Sequence, residues 1–424
     1  MDLLDITSIL LVLAAAFAWL NQRYLRFPST IGLMAIALVF SLAIVVLGVF
    51  IPEVSIRAES LLNQVDFNET LMDGMLGVLL FAGALHVDIE DLAEQRVLIG
   101  ALSTVGVVTS TFLVGTFVYG VLGALGFEMS YMMCLLFGAL ISPTDPIAVL
   151  GILKTLGASK ELSTQIAGES LFNDGVGVVV FLAIFYIAGL DPNHAELTTS
   201  GVALLFVQEA IGGAAFGLAA GTLAYYMLRS IDAYSVEVLI TIALVVGGYT
   251  LASTLHLSGP IAMVVAGLFI GNRGRMFAMS DHTRQHLDMF WELIDEILNA
   301  VLFVLIGLEV LILEFSGGLF FAGLIAIPLV LLARLLAVSL PLFTTQGAKA
   351  LSTIQILTWA GLRGGISVAL ALSIPRTLGD ETIVERDAIL AMTYIVVVFS
   401  ILVQGLTVGP LIRRLAPESI TSSG

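Results

Sequence analysis

The amino-acid sequence predicts an all-α polytopic membrane protein with about thirteen transmembrane helices. Three observations lead there. The 424 residues are 58% hydrophobic and only 12% charged, where soluble chains carry about 25% charged residues. Mean hydropathy is +1.05. Apolar stretches of span length recur along the whole chain, and no soluble core could hide so much apolar surface. The same composition excludes a nucleic-acid binder, a disulfide scaffold and a disordered chain. The single cysteine, Cys134, lies in an apolar stretch and has no intramolecular partner, so it reads as packing.

The first stretch, 6–22, follows Met1-Asp2-Leu3-Leu4-Asp5. That start lacks the positive charge and small-residue cleavage site of a signal peptide, so the stretch reads as a retained span. Spans two to four follow at 29–51, 70–87 and 97–124. The fifth, 130–153, is interrupted by Ser142-Pro143-Thr144-Asp145-Pro146. Two prolines three residues apart remove two backbone donors, so the helix opens there. Open backbone at membrane depth must line a cavity or be buried in protein, and Asp145 sits at the opening.

The sixth span, 161–188, carries Glu169-Ser170-Leu171-Phe172-Asn173-Asp174. Glu169 and Asn173 share one helix face, and Ser170 and Asp174 another. Two carboxylates and two neutral oxygen donors within six residues suit a hard cation, and no His/Cys cluster argues for zinc or copper. Spans seven and eight fall at 201–228 and 236–256. The ninth, 259–271, opens at the turn signal Ser258-Gly259-Pro260. The tenth, 288–311, begins with Asp288, Glu292, Asp295 and Glu296 on several faces, which points to a partly solvated or funnel-lining segment. Glu309, near its end, is expected to reach water, and Asp73, Glu209 and Glu237 to be interfacial. His86, His194, His256, His282 and His286 fall at span ends or in loops, and none has a neighbour that argues for a proton relay.

The eleventh span, 318–344, contains Arg334 in an apolar helix, and the twelfth, 351–373, contains Gly361-Leu362-Arg363-Gly364-Gly365. An intramembrane charge is costly unless paired, so Arg334 needs an acid, and Glu169 is the candidate. The glycines around Arg363 signal an unwound stretch or a close-packed interface, where Arg363 could neutralise helix C-terminal ends or Asp145. The thirteenth span is 387–412.

With the N-terminus outside, twelve of the seventeen basic residues, among them Lys349, fall on inside loops or the C-terminal tail. Arg57, Arg376 and Arg386 fall outside, and Arg334 and Arg363 within spans. This asymmetry places the N-terminus outside and the C-terminus in the cytoplasm. The two broken spans are seven apart, hence oppositely oriented. Spans one to six (6–188) and eight to thirteen (236–412) then form inverted repeats joined by span seven, in one transporter unit without a soluble domain. Paired broken helices in corresponding positions mark the site of a secondary transporter.

The set Thr144-Asp145-Pro146, Glu169-Ser-Leu-Phe-Asn-Asp174, Arg334 and Gly361-Leu-Arg-Gly-Gly365 resembles the monovalent cation:proton antiporter-1 family over essentially the whole chain. That family holds the NhaP-type prokaryotic sodium/proton antiporters and the eukaryotic sodium/proton exchangers. The resemblance implies an antiporter fold of the NhaA/NhaP kind, a homodimer, and a prokaryotic inner membrane. It implies that Asp174 binds a cation or a proton in turn. Ser170, Glu169 and the backbone near Thr144 and Asp145 would complete a Na+ site, some through water, Asn173 would orient, and Arg334 would hold Glu169 ionised. No cofactor is implied, because Na+ and H+ are cargo. Asn173 cannot titrate and Glu169 would stay ionised, so one carboxylate alternates and exchange is expected to be electroneutral.

Two other readings compete. A potassium-preferring antiporter or a channel-like pathway stays within transport, but a channel wants a ring or filter. An intramembrane aspartyl protease would need a Tyr-Asp pair and a Gly-x-Gly-Asp motif. Here Asp145 follows Thr144 and Asp174 follows Asn173.

Overall fold

The computed structural model describes residues 3–54, 70–190, 199–311, 317–347, 350–378 and 381–415. Arg57, Lys349, His194 and the side chain of Asp73 lie outside them. The described residues are helical almost throughout. Its helices are α1 (Leu3–Leu20), α2 (Ser29–Phe50), α3 (Leu76–Leu85), α4 (Ile89–Glu94), α5 (Arg96–Ala101), α6 (Val107–Ala124), α7 (Tyr131–Ile141), α8 (Ile147–Leu156) and α9 (Lys160–Ile187). There follow α10 (Thr199–Arg229), α11 (Tyr234–Thr254), α12 (Gly259–Phe269), α13 (Asp281–Leu308), α14 (Gly317–Gln346), α15 (Ala350–Ala360), α16 (Gly365–Leu372), α17 (Glu385–Phe399) and α18 (Gly405–Leu415).

Among the described residues eight helices are long and apolar enough to cross a membrane. The expected fifth and twelfth stretches are not among them, because each is split into two short helices: α7 and α8, and α15 and α16. The start of α13 at Asp281 lies seven residues before the expected one, since the polar run Asp281–Asp288 continues the helix. One departure from all-α is a two-residue antiparallel pair, β1 (Thr377–Leu378) and β2 (Glu381–Thr382), in the connection before α17.

Local chemistry explains several helix ends. Ser130 and Ser258 accept hydrogen bonds from the amides of Met133 and Ile261, each at 3.3 Å, and so cap α7 and α12. Pro260 falls in the first turn of α12, where a missing N–H costs nothing. The turn expected at Ser258-Gly259-Pro260 is therefore the start of a helix. Gly157 ends α8 at φ +63°, the left-handed cap that glycine adopts freely.

The chain divides into two compact units. The first gathers the described residues up to Leu71, Thr109–Ser159 and those from Asn299 onward; the second gathers Met72–Val108 and Lys160–Leu298. In a bilayer, helices gain nothing hydrophobic by leaving lipid, so close approach of backbones must hold them. In the second unit Gly213, Gly217 and Gly221 recur every fourth residue on α10. A Cβ on Gly213 would meet the Ser258 carbonyl oxygen at 2.7 Å, and one on Gly217 the Ala262 Cα at 2.9 Å. The α10 stripe thus lies directly on α12. On another face of α12, Gly267 approaches Phe81 and Ala84 of α3. Phe81 and Trp291 pack with ring centroids 4.9 Å apart and planes tilted by 56°, in the core beside Tyr249. In the first unit Gly307 approaches Ala37, and Ser41 donates to the Gly307 carbonyl at 2.9 Å, which joins α2 to α13.

Candidate functional site

In the first unit the two breaks meet. After α7 ends at Ile141, Pro143 and Pro146 keep residues 142–146 out of a helix until α8 begins. After α15 ends at Ala360, residues 361–364 are open until α16 begins. The open segments pair as a single antiparallel bridge: the Asp145 amide donates to the Leu362 carbonyl at 2.8 Å. The Asp145 carboxylate turns back and accepts from the Ile147 amide at 3.0 Å, at the positive N-terminal end of α8.

Arg363 lies across the end of the other half-helix. Its Nη1 donates to the Ser142 carbonyl and, at 2.8 Å, to the Pro143 carbonyl. These groups close α7, whose end carries partial negative charge. Arg363 is 2% exposed. Ser142 donates back to the Gly138 carbonyl at 2.6 Å and contacts the hydroxyls of Ser110 and Thr111. Arg334 on α14 donates to the Leu357 carbonyl of α15 at 3.2 Å, and the space beside Gly361 is filled by Arg334 Nε and the Thr144 methyl. Thr144, Asp145, Arg334 and Arg363 are therefore neighbours.

In the second unit Glu169, Ser170, Asn173 and Asp174 lie on the unbroken α9. Glu169, Ser170 and Asn173 are almost completely buried, and Asp174 is half-buried. The helix is seated by its glycines. A Cβ on Gly168 would strike Leu92 of α4 and Ile99 of α5 at 2.7 and 2.8 Å, and one on Gly175 would strike Ile261 of α12 at 2.9 Å. The polar band is thus enclosed at both ends by close packing, which fixes its oxygen donors in place.

Two acids depart from expectation. Glu309, expected to reach water, is only 7% exposed, in a 3₁₀ turn ending α13. Glu237, expected at the interface, is fully buried. It accepts from the Ala233 amide at 3.0 Å and from Thr283 at 3.3 Å, and so caps the start of α11. Two polar residues at the breaks went unread. Ser400 and Gln404, four apart in an apolar stretch, bond to the Arg363 amide in the α15–α16 opening and to the Trp359 carbonyl in the last turn of α15. The signal was there: two hydrogen-bonding groups at one spacing in a span.

The transmembrane sodium/hydrogen exchanger family matches residues 9–414. The chain belongs to the sodium/hydrogen exchanger family. It is 52% identical over 420 residues to the Na+/H+ antiporter NhaP of Pseudomonas aeruginosa, with 97% of each chain covered. It is 36% identical over 414 residues to the Na+/H+ antiporter NhaH of Halobacillus dabanensis, covering 96% of this chain and 97% of that one. The fold matches the sodium proton antiporter MjNhaP1 of Methanocaldococcus jannaschii with a TM-score of 0.76 at 21% identity, over 98% and 99% of the two chains. Members of the exchanger family are transporters rather than enzymes, so the aspartyl protease reading falls. The family resemblance read from the residues is the family the chain matches.

Proposed function

We propose that this protein exchanges Na+ for H+ across a prokaryotic inner membrane by alternating access, with Asp174 taking cation and proton in turn. The observation that carries the reading is the meeting of two broken helices around Asp145, with Arg363 on the carbonyls of one half-helix. Such openings supply fixed dipoles at membrane depth, which a transporter uses to bind an ion it must later release. The names of the relatives support sodium as the cation. Thr144, Glu169 and Ser170 supply further oxygen ligands, Asn173 orients, and Arg334 pairs with Glu169. The thirteen-span count and the inverted repeats rest on helices that follow the apolar stretches and on breaks seven spans apart. The N-out, C-in topology rests on the basic residues, and the homodimer on the family resemblance.

The decisive experiment is fluorescence dequenching in vesicles under an imposed pH gradient, with each chloride salt added in turn. Sodium should collapse the gradient. A response to potassium alone would favour the potassium-preferring alternative. Exchange is proposed as one for one, since Asn173 carries no proton and Glu169 stays ionised. A potential clamped across proteoliposomes with potassium and valinomycin should then leave sodium uptake unchanged. Accumulation driven by a negative interior, with no pH gradient, would mean a second titrating group.

A further inference from the structure

The opening between α15 and α16 exposes backbone groups at membrane depth, and each such group needs a partner. The Leu362 carbonyl takes the Asp145 amide at 2.8 Å. The Leu357 carbonyl takes the Gly361 amide and Arg334. Two further partners come from one short segment. The Arg363 amide donates to Ser400 Oγ at 2.9 Å, and Gln404 Nε2 donates to the Trp359 carbonyl at 3.0 Å. Ser400 and Gln404 are 0% and 2% exposed. They are the first and last residues of a π-helical turn, Ser400–Gln404, inserted between α17 and α18. A π turn inside an otherwise α-helical span is rare and concentrates at functional sites.

These bonds form a continuous series. Ser400 fixes the Arg363 amide, and the Arg363 side chain fixes the Ser142 and Pro143 carbonyls. Leu362, next to Arg363, fixes the Asp145 amide. Gln404 anchors the last turn of α15 and, with Arg334, Gly361, Arg363 and Phe399, lines a small cavity beside the opening. Nothing in the sodium/proton reading above uses Ser400 or Gln404. We infer that Ser400 and Gln404 are positioning residues of the exchange reaction, which act through the Arg363 segment to hold the Asp145 opening in its cation-binding geometry. This inference rests on the proposed antiport activity.

The test compares Ser400→Ala, Gln404→Met and Ser400→Thr with wild type by hydrogen–deuterium exchange and by sodium/proton exchange in proteoliposomes. In Ser400→Ala, amide protection within 142–147 and 359–365 should fall about tenfold, the effect of losing one buried hydrogen bond. The apparent KM for sodium should rise by a similar factor of about ten, with Vmax changed less than about twofold. Gln404→Met should act in the same direction, and Ser400→Thr, which keeps the hydroxyl, should restore both values. Wild-type protection in folded Ser400→Ala overturns the proposed linkage. Lost protection with an unchanged KM reduces Ser400 to a structural residue and overturns the positioning role. If wild type itself moves no sodium, the antiport reading fails, while the deuterium-exchange result still judges the linkage.

Discussion

Gly364→Ala is the sharpest perturbation of the crossing. Gly364 has φ −124° and ψ −157°, an extended conformation open to any residue, so alanine meets no backbone penalty. The obstacle is Asp145. A Cβ on Gly364 would lie 2.7 Å from Asp145 Cβ and 2.8 Å from its Cγ. Carbon atoms rest at about 3.5–4.0 Å, so the two segments must part by about 1 Å. Rotating the carboxylate does not help, because Asp145 Cβ is fixed to the backbone that bonds Leu362. The bridge itself must stretch. A displacement of about 1 Å at a reacting group costs on the order of a hundredfold in rate, and overpacking costs about 1–3 kcal/mol of stability. Gly364→Ala should therefore remain folded and lose about two orders of magnitude in sodium-driven dequenching in proteoliposomes. Gly361→Ala should lose less, because its neighbours, Arg334 Nε at 2.8 Å and the Thr144 methyl at 3.2 Å, are side-chain ends that can yield. Gly83→Ala meets nothing within 4 Å and should match wild type. A wild-type rate for Gly364→Ala, or a reversed order of the three, would refute the reasoning.

Asp174→Asn keeps volume and removes charge; it should abolish exchange while the purified protein elutes as wild type, and retained exchange would move the ion site elsewhere. Breaking the proposed Glu169–Arg334 pair from either side should destabilise by about 3–5 kcal/mol, with a smaller loss in the double variant; additive losses in thermal melts would show that they are not partners. Gly217→Ala should lower the thermal midpoint without altering the apparent sodium KM of the surviving protein, because its added methyl pushes α10 off Ala262 of α12. An unchanged melting curve would contradict the packing described for that helix pair.

The positions of both openings were legible because proline and glycine act locally. Pro143 and Pro146, three residues apart, remove two donors from one turn, whereas Pro328 and Pro341, set singly, lie inside the continuous α14; Gly361, Gly364 and Gly365 mark where side chains from other segments press against the backbone. The polar band of α9 was legible for a similar reason: four oxygen-bearing side chains in six residues of a span have no cheap bland explanation. What was not legible depends on distant partners. Glu237 is buried because Thr283, 46 residues away, meets it. Ser400 and Gln404 have a role only because residues 359 and 363 lie beside them. The π turns left no mark either, at Asn21–Leu25, Thr70–Met75, Leu102–Gly106, Ile270–Gly274 and Ser400–Gln404. Each changes the hydrogen-bonding register without changing composition, so hydropathy passes over it.

The contact between Arg363 and the Ser142 carbonyl joins residues 221 positions apart. At synthesis rates of about 5–20 residues per second, the first opening waits some 10–45 s for the guanidinium that completes it. Throughout that interval the bilayer holds a half-made crossing whose free carbonyls have no permanent ligand. Assembly of this protein is therefore completed late and from its far end. A nascent chain stalled before Arg363 should be a substrate for membrane proteases however well its first six segments have inserted.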